Sequence, residues 1–209
     1  EWTVTGHNDS TVPISDYVMS DVLDEHYEFT GPVQFHTEDA NGKKSTGNYD
    51  TTLFTFGKWS TDSNGKTWSL ARLKGKVVVI EVTNHDCPYV RKHYNSGNMQ
   101  AQQREAAARG VVWLTVAASA PGEQGYVTAD QANAIVAKYS AAPAAVILDP
   151  QSKIARAYGA TVTPHMYVID AAGMLVYKGG IDSIVSSDVN DVPKATQYVR
   201  SEERRVGKE

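Results

Sequence analysis

Residues 76–92, Lys-Val-Val-Val-Ile-Glu-Val-Thr-Asn-His-Asp-Cys-Pro-Tyr-Val-Arg-Lys, constrain this chain more than any other stretch. The β-branched apolar run at 77–82 follows a Lys74-Gly75-Lys76 turn signal and predicts a buried strand. A short polar turn leads to the chain's single cysteine, Cys87, at the start of a predicted helix. Asp86 is the expected N-cap, and Pro88 falls in the first turn, where a missing N–H costs nothing. A helix start offers unpaired N–H groups and the positive end of the dipole, and both favour thiolate over thiol. His85 and Arg91 are close enough in sequence to add positive potential. Cys87 is therefore read as a reactive thiolate. The alternative is an inert small hydrophobe at a strand–helix junction, which seldom sits behind a polar Asn84-His85-Asp86 turn.

The predicted helix is interrupted near 95–97, resumes over 98–109 and closes at Gly110. A second buried strand follows at 111–117, then a Gly- and Pro-rich loop at 119–126. Thr128 is the expected cap of a helix at 129–139. A strand at 144–148, a short helix at 151–158 and a strand entered through Thr163-Pro164-His165 come next. A hairpin partner at 174–177 and a helix at 191–199, with Pro193 in its first turn, complete the series. Upstream, residues 53–56 and 59–60 read as a strand, 62–65 as a hairpin turn and 66–70 as its return strand. Strands alternating with helices, followed by an antiparallel hairpin, imply an α/β fold: a mixed sheet with helices on both faces.

Residues 1–52 form a β-rich N-terminal segment that fits no family. Strands are expected at 2–5 and 32–36 and a helix at 16–27. Asn41-Gly42 is a turn signal for a hairpin between 33–37 and a later strand. His7, His26 and His36 have no metal-ligand spacing on these elements. The chain begins at Glu1 and is expected to be a piece of a longer protein. Residues 200–209 read as the translation of a sequencing adapter, a non-native tail set aside from functional reasoning. The other reading is a charged helix end, since Glu202, Glu203, Arg204 and Arg205 form helices well.

The Cys87 segment resembles the active-site segment of thioredoxin-like redoxins, near the AhpC/TSA and thioredoxin-like oxidoreductases. The likeness is carried by Thr-Asn-His-Asp-Cys-Pro-Tyr-Val-Arg-Lys-His-Tyr at 83–94 and by Thr163-Pro164. It extends over a domain at 53–199 and implies the thioredoxin-like three-layer fold. By the same resemblance Pro164 is cis and faces the cysteine. Cys87 is then the attacking sulfur, directed at a disulfide or a hydroperoxide. Asn84, His85, Tyr89 and Arg91 shape the pocket or stabilise the anion, and Thr163, Pro164 and His165 position the partner. His165 is equally readable as a strand histidine paired to backbone.

Two departures stand out. Val90 occupies the place of a second, resolving cysteine, and Asn84 stands three before Cys87, where peroxiredoxins carry threonine. The resemblance implies a resolving cysteine in a longer C-terminal tail, or else an external thiol reductant, thioredoxin-like or of low molecular weight. No cofactor and no metal are expected. Relatives of this kind are often exported.

A net charge of −4 gives no footprint for nucleic acid. No apolar run approaches the ~20 residues that span a bilayer. One cysteine excludes an internal disulfide framework. The competing function is a non-catalytic thioredoxin-fold module that binds extended peptides beside Pro164. A metal carrier built on Cys87, His85 and His165 is a more remote third.

Overall fold

A computed structural model describes residues 33–38, 44–49 and 61–206. The expected strands at 2–5, 53–56 and 59–60 and the helix at 16–27 lie outside the described residues.

The Asn41-Gly42 signal is matched by a hairpin: β1 (Val33–Glu38) pairs antiparallel with β2 (Lys44–Tyr49), Val33 opposite Tyr49. The main body is a five-stranded sheet of order β5-β4-β3-β6-β7. Its strands are β3 (Val78–Thr83), β4 (Val112–Ala117), β5 (Ala145–Leu148), β6 (His165–Ile169) and β7 (Leu175–Gly179). β3 is central, parallel to β4 and antiparallel to β6, and β4 and β5 are parallel. The central strand is apolar at Val78, Val79, Ile80 and Val82 because both faces are covered. Val78, Ile80 and Val82 pack with Leu114, Val116, Tyr167 and Ile169 on one face. Val77 and Val79 pack with Met99, Trp113, Met166, Val168 and Val199 on the other. This is the thioredoxin-like three-layer arrangement.

Helices α1 (Pro88–Asn95) and α2 (Asn98–Ala108) are separated at Gly97, whose φ of 77° suits a residue without a Cβ. α3 (Ala129–Tyr139) starts in a full capping box: Thr128 Oγ1 accepts from the Gln131 amide, and the Gln131 side chain accepts from the Thr128 amide. α4 (Lys153–Ala157) is short, and α5 (Tyr198–Val206) is the last helix of the described residues. No helix among the described residues is long and apolar enough to cross a membrane.

Three expectations are corrected. Asp86 is not the N-cap of α1: Cys87 is, without a side-chain cap bond, and the Asp86 carboxylate turns outward to Arg91, 2.7 Å away. The return strand at 66–70 is only a Thr61–Thr67 bridge, because Trp68 turns in to donate from Nε1 to Asp62 Oδ2 at 2.7 Å. The helix expected at 191–199 is instead a 3-10 turn (Val189–Lys194) followed by α5. Ala195 is extended, and its neighbours bond back to the chain after β7: Ser183 N–H to the Thr196 carbonyl at 3.1 Å and Tyr198 N–H to that of Ile181 at 3.1 Å. That pairing delays the helix by one turn or more. α5 then runs through the expected boundary at Arg200, burying Val199 and Glu203.

Candidate active site at Cys87

β3 ends at Thr83, and four residues, 84–87, connect it to the start of α1 at Pro88. Asn84 shapes this connection. Its Oδ1 accepts from the Asp86 amide at 2.9 Å, and its carbonyl accepts from the Cys87 amide at 3.0 Å. An Asx turn of this kind imitates a backbone turn and fixes the cysteine's approach to the helix. Asn84 Nδ2 also donates to the Gln124 carbonyl at 3.1 Å. The next residue, Gly125, has φ +82°, and a Cβ there would stand 2.2 Å from Asn84 Oδ1. The Gly-rich loop is thereby laid directly on the cysteine turn.

Cys87 is half-buried, and its thiol is free. Sγ lies 3.3 Å from the Thr163 carbonyl oxygen, and the Thr163–Pro164 bond is cis. The residues named from the sequence thus fall into two groups. Asn84, His85, Cys87, Thr163 and cis-Pro164 meet at one edge of the sheet. Tyr89 stands in the first turn of α1, 44% exposed. Arg91 is tied to the outer side: its guanidinium pairs with Asp86, and Nε donates to the His85 carbonyl at 3.2 Å. His85 Nε2 is 3.5 Å from the same Asp86 carboxylate. His165 is buried. Its Nδ1 accepts from the Thr161 amide at 3.3 Å, and its ring stacks on Tyr167 with centroids 4.8 Å apart. Burial, then the Lys178 ammonium, hold its pKa below the ordinary imidazole value.

An apolar cavity of about 40 Å³ opens beside the turn, bounded by Thr83, His85, Val90, Tyr94, Gly125 and Val127. A larger cleft of about 220 Å³ lies further along, between Ala117, Tyr126 and Leu148. It shares Val127 with the smaller cavity but is lined by none of Asn84, His85, Cys87, Tyr89, Arg91 or residues 163–165.

Under α1 lie polar groups that the sequence reading did not single out. Glu81, fully buried in β3, accepts from Tyr94 Oη at 2.9 Å, Trp113 Nε1 at 3.0 Å, Thr115 Oγ1 at 3.1 Å and Gln103 Nε2 at 3.4 Å. Burial raises its pKa. Lys92 and His93 turn inward from the same helix onto Asp182, with Nζ 3.0 Å and Nε2 3.5 Å from Oδ2. The signal for Glu81 was present: a carboxylate inside an apolar run requires partners. Asp182 gave no such signal, because its partners lie ninety residues away in sequence.

Chemically, the arrangement offers a partly accessible sulfur at a helix start, facing a backbone carbonyl that can pair with an incoming chain. Residues 52–178 match the AhpC/TSA family. No curated protein matches. Among solved structures, a hypothetical protein of Sinorhizobium meliloti 1021 is 20% identical with a TM-score of 0.59, over 72% of this chain and 80% of that one. An uncharacterised conserved protein of Geobacillus kaustophilus is 19% identical with a TM-score of 0.56, over 71% and 81%. A Bacteroides thetaiotaomicron protein provisionally assigned as a protein disulfide isomerase is 16% identical with a TM-score of 0.52, over 73% and 86%. At these identities the likeness is one of fold.

Proposed function

The chain belongs to the AhpC/TSA family, and from that premise we propose that it is a thiol-dependent oxidoreductase whose nucleophile is Cys87. The observation that carries the reading is the placement of Sγ 3.3 Å from the Thr163 carbonyl at the start of α1. A disulfide partner lying along residues 162–164 would bring its sulfur to that place. The Cys87 thiolate attacks one sulfur of the partner, forming a mixed disulfide and expelling the other sulfur as thiolate. An external thiolate then attacks the mixed disulfide and returns Cys87. With a hydroperoxide, the thiolate takes the terminal oxygen, becomes a sulfenic acid and releases an alcohol or water. Two external thiols then restore it, giving a disulfide and water.

Val90 lies where a second sulfur would be, so the resolving thiol in this proposal is external: a thioredoxin-like protein or a low-molecular-weight thiol. Asn84 holds the cysteine turn, Arg91 and His85 hold Asp86 away from the sulfur, Tyr89 supplies an exposed apolar contact, and Thr163, Pro164 and His165 position the partner. The proposal includes an exported setting, where disulfide substrates persist. The domain at 53–199 is the catalytic unit in this reading, and 1–52 and 200–209 have no part in the reaction.

The test is intact-mass spectrometry after exposure to oxidised glutathione and, separately, to cumene hydroperoxide with dimedone. The expected result is one glutathione adduct or one dimedone adduct on wild type and none on Cys87→Ser. A wild-type chain that stays unmodified by both reagents while folded would leave a peptide-binding module as the better account.

A further inference from the structure

The loop that faces Cys87 is held by the residue that follows it. His165 is 7% exposed, one residue beyond cis-Pro164, and opposite Val82 in the β3–β6 register. Its ring is fixed by the Tyr167 stack, and Tyr158 packs edge-on against Tyr167 at 5.1 Å. In that position Nδ1 receives the amide of Thr161, two residues before the carbonyl that meets Sγ. We propose that neutral His165 clamps residues 161–164 against Cys87, and that protonating the imidazole opens the clamp and slows exchange with a disulfide partner. The inference rests on the thiol chemistry proposed above and adds to it a positioning residue with an acid switch.

The physical reason is the donor count. A neutral imidazole with its proton on Nε2 offers Nδ1 as an acceptor. The imidazolium carries N–H at both nitrogens, so a protonated His165 would point a donor at the Thr161 N–H. That pair cannot share a hydrogen bond, and the loop must shift to relieve it.

The groups facing the ring decide the direction. On its own strand the neighbour is the Tyr167 phenol, and from the end of α4 it is Tyr158. From β7 it is Lys178, opposite Tyr167 in the register, whose Nζ also comes within 2.9 Å of where a Cβ on Gly159 would stand. Across the loop is Cys87. Glu81, on the adjacent strand, bonds to Trp113 and Tyr94 on the opposite face of the sheet. The charge acting on the ring is thus a cation, and together with burial it favours the neutral form. The clamp is closed at neutral pH and opens only as the pH falls below the ordinary imidazole range.

The experiment compares two reagents on the reduced full chain from pH 8 to pH 5. Oxidised glutathione and iodoacetamide both consume the Cys87 thiolate, so the ratio of their rates removes the thiolate fraction. Only the disulfide must lie along the clamped loop. In wild type the ratio should hold above pH 7 and fall by about fivefold or more at pH 5, the low end of ordinary coupling between two sites. His165→Gln, which supplies an acceptor that does not titrate, should lose the fall whatever the level of its ratio at high pH. His165→Phe should be low at every pH. A flat wild-type ratio, or an equal fall in His165→Gln, overturns the clamp.

A separate readout protects against failure of the underlying chemistry. If neither reagent reacts with Cys87 at any pH, the thiol reading is what fails. The clamp is then judged by NMR on wild type alone. The Thr161 amide shift should follow the His165 ring titration with the same midpoint, and an amide that ignores the titration overturns the inference.

Discussion

The ammonium of Lys92 lies 3.0 Å from Asp182 Oδ2, with the two side chains 1% and 5% exposed. Lys92 also donates to the Ile184 carbonyl at 3.0 Å, and Asp182 Oδ1 accepts from the Ile184 amide at 3.1 Å. The helix that begins at Cys87 is thereby bolted to the segment after β7. A buried pair of this kind contributes little net stability, but breaking it strands a charge. Lys92→Met should destabilise the fold by roughly 3–5 kcal/mol. Lys92→Met combined with Asp182→Leu should recover most of that loss. Urea midpoints of wild type and the two variants measure it, and a Lys92→Met midpoint equal to wild type would exclude this role for the pair.

His93 makes the same junction sensitive to acid. Burial, opposed only in part by Asp182, takes its pKa from 6.5 to about 4. The folded value is below the unfolded one, so the unfolded chain takes the proton first. The stability this group contributes is complete above pH 6.5 and falls as the pH drops towards about 4. The full loss is on the order of 3 kcal/mol. Glu81 works in the opposite sense, because its raised pKa favours the protonated folded state as the pH falls. The contribution of His93 is therefore read as the difference between wild type and His93→Gln. That difference should shift in favour of the variant between pH 6.5 and pH 4.5, and parallel stability–pH curves would refute the assignment.

Glu81 itself receives four donors on two oxygens. Glu81→Gln replaces one oxygen with an NH2 that faces donors instead of accepting from them. A loss of roughly 1–3 kcal/mol is expected at pH 5, the usual cost of a buried group left unmatched. The folded pKa of Glu81 is raised by burial, so wild type loses stability as the pH rises through that value and the variant does not. The gap between the two should narrow towards pH 8. Denaturant curves at pH 5, 6.5 and 8 show whether it does, and a gap that widens would mean the hydrogen bonds outweigh burial.

These three sites also mark where sequence reading reached its limit. The strand and helix around Cys87 were readable because the cues are local: an apolar run, a polar turn, and Pro88 at the first helical position. The same holds for Thr128 with Gln131 three residues on, and for Asn41-Gly42 between β1 and β2. The inward turn of Lys92 and His93 had no local cue, since each is an ordinary helix residue until Asp182 arrives from the far end of the chain. The late start of α5 was hidden for a similar reason. Residues 196–198 bond back to 181–183, and that pairing overrides the helical propensity of the segment. Asp86 was misplaced by one position because Arg91, one turn on, competes for its carboxylate.

The contact between Asn84 and Gly125 gives the most direct handle on how Cys87 is held. Gly125 has φ +82°, where a side chain is strained, and a Cβ there would meet Asn84 Oδ1 at 2.2 Å. Gly125→Ala should therefore cost roughly 2–4 kcal/mol, combining the left-handed backbone with overpacking. The two causes can be separated. In an Asn84→Ala background the obstructing amide is gone, and Gly125→Ala should cost only about 1 kcal/mol, the backbone share. Asn84→Ala alone removes the acceptor for the Asp86 amide and the donor to Gln124, so it should loosen the cysteine turn and change the alkylation rate of Cys87. Gly125→Ala should move that rate too, because the Asn84 side chain cannot stay where it is. A double-mutant cycle with denaturation and iodoacetamide alkylation as its two readouts tests both statements. Additive stabilities would show that the loop and the turn do not touch in solution, and unchanged alkylation in both single variants would show that the turn is held by the Asn84 backbone alone.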